Sequence, residues 1–194
     1  MTDRIEAIIQ DVLALNAAHA AVVGIEQVKF SDELRKLCEQ NKCGMYGSNW
    51  MCPPGVGTVE DLKARAMQYG QGLLFQTIHP LKSSFDMKGM MEGKAVHTGV
   101  FKAIRHLLAA KYQMKEILPL NVGPCGHCEK CAYKEGKECY FPEEAVASVE
   151  AYGIDVMGLT RSCGIPYNNG KNTVSYISLI LYNNHSVNFE EDAI

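Results

Sequence analysis

The 194-residue chain is 47% hydrophobic and 21% charged, with eight cysteines and a formal net charge of −3. This balance suits a protein able to bury its own core without staples, and it speaks against nucleic acid, whose phosphates demand clustered Lys and Arg. No apolar run approaches the length of a membrane span, and Asp3, Glu6 and Asp11 interrupt the N-terminal pattern where a secretory signal would be apolar, so a cytoplasmic protein with neither nucleic acid nor membrane as partner is expected.

In chain order, Ile5, Ile8, Ile9, Val12, Leu13 and Leu15 fall near helical spacing and predict a helix over residues 4–19. Ala21 to Phe30 reads as a strand, and Ser31 can cap a short helix ending near Cys38. Residues 38–57 then crowd Cys38, Cys43, Gly44, Gly47, Cys52, Pro53, Pro54, Gly55 and Gly57 into a stretch that breaks both regular periods and predicts an irregular loop. Thr58 followed by Asp61 resembles a capping box, with Asp in place of Glu or Gln, ahead of a helix at about 59–69. Gly72 to Ile78 reads as a buried strand. Two helices follow, at about 85–92 and 94–111, with Lys102, Arg105 and Lys111 on a wet face; Glu116 to Val122 then reads as a strand. Residues 125–141 form a second cysteine loop, after which Pro142, Glu143 and Glu144 predict a helix start. Ile154 to Leu159 reads as a short strand, residues 161–171 as a third loop around Cys163, and Thr173 to Tyr182 as a strand. The acidic tail after Asn183 is expected to be mobile. Alternating strands and helices predict an α/β or α+β fold: a central sheet flanked by helices, in a single domain with cysteine-rich loops at about 38–57, 125–141 and 161–171.

In a reducing compartment, clustered cysteines point to metal ligands or catalytic thiols rather than disulfides. Cys125, Cys128 and Cys131 stand at two-residue gaps, and Cys139 and Pro142 follow. Such a run lets consecutive thiolates curl around one 4Fe-4S cubane, with Cys139 looping back to complete it. Zinc is the alternative, although its four-cysteine sites normally show two separated pairs. His127 inside the run reads as a neighbour of the ligands or a replacement for one, and Lys130, Lys134 and Lys137 offset thiolate charge.

Cys38, Cys43 and Cys52 are spaced less tellingly. The Gly/Pro-rich loop, the Cys52-Pro53-Pro54 sequence and an apolar shell of Met45, Trp50 and Met51 favour ligands over buried core thiols. Cys163 is the one cysteine left to complete this group. If it is instead a free thiol, the cluster keeps an open iron able to bind substrate as a Lewis acid. Arg161 and the polar residues Tyr167, Asn168, Asn169 and Lys171 could then orient a small anionic substrate. His79 ends a strand, and His97, Arg105 and His106 fall in helix; all four read as structural before catalytic. No phosphate-binding glycine loop is present.

The stretch from Cys43 to Pro54, the run from Cys125 to Pro142, Glu150 to Val156 and Gly170 to Val174 together resemble a family of small microbial proteins, domain of unknown function 2284, over about residues 30–182. The resemblance implies metal binding through these same cysteines, often in anaerobes, and no particular reaction. The expectation that follows is a protein with two 4Fe-4S clusters passing electrons to a redox partner protein. An enzyme acting on a small anionic substrate at an open iron, by desulfuration or dehydration, is the first alternative. A zinc-stabilised binding module is the second.

Overall fold

The computed structural model of the chain describes residues 2–183, so the acidic tail lies outside the described residues. Helix α1, Thr2–Ala14, leads into strand β1, His19–Gly24. Helix α2, Asp32–Lys36, starts at Ser31, whose Oγ accepts a hydrogen bond from the Leu34 N–H at 3.3 Å, and a single 3-10 turn continues it to Gln40. Helix α3, Val59–Ala66, is capped in the same way by Thr58, whose Oγ1 accepts from the Asp61 N–H. Strand β2 is Gln71–Pro80, helix α4 is Met87–Ala110 and strand β3 is Ile117–Leu120. Helix α5, Val156–Ser162, and strand β4, Thr173–Tyr182, complete the order.

The four strands form one sheet in the order β1-β2-β4-β3, every pair antiparallel. Of the two expected fold classes, the antiparallel sheet selects α+β. Because side chains alternate across a strand, neighbours in β2 and β4 feed opposite faces. Leu73, Phe75, Ile180 and Tyr182 pack with Ile8 and Val12 of α1 and with Val100, Phe101, Ile104 and Leu108 of α4. Leu74, Ile177, Leu179 and Leu181 pack on the other face with Leu62 of α3, Leu159 of α5 and the irregular segment around Val149 and Ile154. No helix among the described residues is long and apolar enough to cross a membrane.

The lengths of the strands matter for the site. β2 and β4 pair over ten residues each, but β3 pairs only with Leu179–Tyr182. The edge of β4 from Thr173 to Ser178 is therefore left without a strand on that side.

Four predicted elements differ from the structure. β1 stops at Gly24 rather than Phe30, because the Gln27 Oε1 accepts from the Gly24 N–H and the Val28 N–H turns back to the Ile25 carbonyl. The two helices expected around Gly93 are one: a Cβ at Gly93 would stand 2.9 Å from the His79 ring, so that glycine permits close packing on β2 rather than a break. Pro142 starts no helix. Glu144 and Ala145 close a turn on the Phe141 carbonyl, and the chain then runs extended beside Asn121, with Asn121 N–H bonded to Ala147 and Val149 N–H to Asn121. Residues 154–159 are not a strand, because the Asp155 side chain accepts from the Gly158 N–H and starts α5.

A chain of polar contacts crosses the α4 side of the sheet. Thr77 Oγ1 lies 2.8 Å from both His79 Nε2 and His97 Nδ1, His97 Nε2 lies 2.7 Å from Ser178 Oγ, and Ser178 donates to Asn121 Oδ1. His97 is fully buried, and burial pulls its pKa down to about 4. Between pH 6.5 and about 4 the unfolded chain holds a proton there that the folded chain refuses, so stability falls as the pH falls through that window. Denaturant unfolding at pH 7 and pH 4.5 should show the loss. In His97→Gln the drop should shrink by roughly 2–3 kcal/mol, and an unchanged drop would place the acid sensitivity elsewhere.

Candidate metal centre

The first cysteine group is built around a buried cation. Arg35 on α2 is 9% exposed; its guanidinium donates to the carbonyls of Ala151 and Gly57. Those contacts dock α2 on the segment 150–155, where Gly153 sits at φ +70° and a Cβ would stand 2.9 Å from the Ser31 carbonyl. The 3-10 turn after α2 carries Cys38. At its end Asn41 takes a left-handed conformation, and its Oδ1 accepts from the Tyr46 N–H to turn the chain past Cys43. Gly47 closes the loop by donating to the Pro53 carbonyl.

Cys38, Cys43 and Cys52 line one cavity of about 380 Å³, a volume in the range small ligands occupy. Its other walls include Met45, Tyr46, Glu150, Tyr167 and Ser175–Ile177 from the uncovered edge of β4. Burial pushes the Cys38 thiol up, against the pull of Arg35. Burial pushes the Cys52 thiol up to about 11, and the thiols of Cys43, Cys38, Cys125 and Cys131 all add to the shift. Cys52 thus stands within electrostatic reach of both groups. Cys38, Tyr46, Cys52 and Glu39 in turn hold the Arg35 charge in place against its desolvation.

The second group is tighter. Cys125, Cys128, Cys131 and Cys139 face one cavity of about 20 Å³, with Asn49, Trp50, Met51, His127 and Phe141 around it. The Cys128 thiol is pushed up by desolvation and then by Cys125, Cys139 and Cys131. Among the described residues, no three His, Cys, Asp or Glu side chains form a group that could hold a metal ion as they stand. The Trp50 N–H points at Cys131 Sγ at 3.5 Å. A donor set of four thiols with an amide aimed at one sulfur fits a thiolate-held iron–sulfur group, whose potential such contacts tune.

One segment joins the groups. Asn49 is buried, and its Nδ2 donates to the Cys125 carbonyl at 3.1 Å while its Oδ1 accepts from the Met51 N–H. The Trp50 indole N–H donates to the Lys137 carbonyl at 2.9 Å, and its ring meets Tyr133 edge-on at 4.9 Å. Trp50 and Met51, expected as a shell for the first group, therefore shield the second; Met45 alone of the three lines the first cavity.

Cys163 ends α5 half-buried, its backbone bonded to the Thr160 carbonyl and its sulfur 3.9 Å from Ser162 Oγ. It packs on the core and lines neither cysteine cavity. Of the polar loop expected to hold substrate, Tyr167 lines the first cavity. Asn169 is occupied by Gln76, Pro166 and Ser175, and Arg161 and Lys171 are exposed and line none of the cavities described. His127 borders the second cavity, its ring tilted against Phe141 and its Nδ1 3.8 Å from Glu144. Arg35, Asn49 and Glu150 are the residues that sequence reasoning missed. The first two serve through buried contacts with residues far along the chain, which no local spacing announces.

A family model described as "predicted metal-binding protein", domain of unknown function 2284, matches residues 21–182. No curated protein and no solved structure matches the chain.

Replacing Arg35 removes two charge-assisted hydrogen bonds and the cation beside Cys38 and Cys52. Arg35→Met should cost roughly 3 kcal/mol in denaturant unfolding. It should also lower the metal bound at the first group while the Cys125 group stays loaded, which metal analysis on purified variants would read. Full loading at unchanged stability would show the guanidinium to be a bystander.

Proposed function

We propose an iron–sulfur function for this chain, which belongs to the family of predicted metal-binding proteins. Cys125, Cys128, Cys131 and Cys139 hold an enclosed 4Fe-4S cluster serving electron transfer. Cys38, Cys43 and Cys52 hold a second, with a position left open toward a small substrate. The observation that carries the reading is the grouping of the thiols: Cys125, Cys128, Cys131 and Cys139 line one cavity, Cys38, Cys43 and Cys52 line another, and Cys163 lies on neither wall. Three cysteines at two-residue gaps suit a polynuclear cluster better than zinc, whose four-cysteine sites normally show two separated pairs.

Such clusters supply one-electron transfer and, at an iron free of protein ligands, Lewis acidity. The chain supplies the rest. Val122, Pro124 and Val156 give the first cavity apolar walls, and the phenols of Tyr46 and Tyr167 with the carboxylate of Glu150 offer hydrogen bonds and a place for a proton. Arg35 offsets thiolate charge beneath it. Cys52 lies within electrostatic reach of the Cys125 group, so electrons entering from a redox partner at that group would have a short path to the first.

Protein purified without oxygen should carry about eight irons and about eight acid-labile sulfides per chain, as two cubanes require. Cys163→Ser should keep them all, whereas Cys52→Ser and Cys131→Ser should each lose about half. Loss of iron in Cys163→Ser would close the open position and return the first cluster to a pure relay. Zinc without iron would sink the redox reading altogether.

A further inference from the structure

A third cavity, of about 530 Å³, lies between α4 and the chain from Asn121 to His127. Lys94, Thr98, Lys102 and Arg105 recur at intervals of three and four residues, so they share one side of α4, and all four line this space. The ion pairs among the described residues are Lys88 with Glu92, Lys111 with Asp11, His127 with Glu144 and Lys137 with Glu135. None includes Lys94, Lys102 or Arg105. The one carboxylate on the wall, Glu144, faces His127.

Two of the cations are held where they are. The Arg105 guanidinium lies 5.9 Å from the Phe101 ring centroid. The Lys94 amine lies over Gly123, where a Cβ would stand 2.8 Å from Nζ; at φ +65°, glycine both makes the turn and leaves room for that amine. Three like charges around one cavity repel one another, and a concave wall of one sign concentrates the opposite charge.

We propose that this cavity binds a small, elongated ligand carrying at least two anionic groups, phosphate or carboxylate. Eleven residues separate Lys94 from Arg105, about 16 Å of helix. One anionic end lies with Lys102 and Arg105, and the other with Lys94 above Gly123, beside the Cys125 loop. The cations that recognise the ligand lie on α4, while Cys125 and His127 on the opposite wall also line the cavity of the second cysteine group.

Calorimetric titration of the full-length protein, purified without oxygen, with tripolyphosphate, citrate and inorganic phosphate tests this. A polyanion should bind at least about tenfold more tightly than inorganic phosphate. Lys94→Gln combined with Arg105→Gln should weaken it at least about tenfold, while Lys88→Gln, whose lysine is paired outside the cavity, should not. Metal content, measured on each variant, separates loss of this site from loss of a cluster. Preference for tripolyphosphate would name a phosphorylated ligand, and preference for citrate a polycarboxylate; either supports the site. No binding by any of the three, or binding indifferent to the double substitution, would overturn it.

Discussion

The insertion of Asn49 to Cys52 between the two cysteine groups is the contact on which the site depends. Residues 125–141 contain one 3-10 turn, Ala132–Glu135, and otherwise little regular hydrogen bonding to hold four thiols in register. Backbone polar groups in such a loop need partners, and the first loop supplies several: Asn49 to the Cys125 carbonyl, the Trp50 amide to Cys131 and the indole to Lys137. Gly55 belongs to the same contact, because a Cβ there would come within 2.7 Å of the Tyr133 ring. Each loop braces the other through these contacts, so two cysteine groups far apart in sequence form one structural unit.

The sheet sets where that unit can sit. Two apolar faces bury α1 and α4 on one side and α3 and α5 on the other, which leaves the uncovered edge of β4 as the place where loops can meet strand. Arg35 ties the start of the first loop to residue 151, so Cys38 reaches the same edge from the opposite direction. A rigid scaffold with its chemistry on loops is a common division of labour. Here a buried cation does part of what strand pairing does elsewhere, and it faces thiols whose ionisation it favours.

Much of this was written locally. Ser31 and Thr58 fix two helix starts through their own hydroxyls, and β4 reads as a strand from its alternating and then apolar pattern. The four cysteines at 125, 128, 131 and 139 were visible from spacing, and the structure brings them to one cavity. What escaped depends on competition or distance. Ile154 to Leu159 is too short for its apolar content to tell strand from helix, and one aspartate cap decides it. Val146 to Ser148 follows a good helix start yet forms no helix, because Ala147 and Val149 are buried and their backbone pairs with Asn121. Trp50 was assigned to the wrong cysteines because its partners, Cys131 and Lys137, lie more than eighty residues away.

Three spaces converge on one short stretch of chain. Val122, Gly123 and Pro124 wall both the cavity of the first cysteines and the basic cavity under α4, and Cys125 follows them into the tight group. That stretch is anchored at Asn121. Its N–H bonds Ala147, its carbonyl accepts from Val149, and its side chain accepts from Ser178, the end of the buried chain through His97 and Thr77. A wall held by the core cannot yield freely to an occupant on one side. The three spaces therefore keep fixed relations to one another before anything binds, and the entropy of ordering them is met in folding rather than in binding.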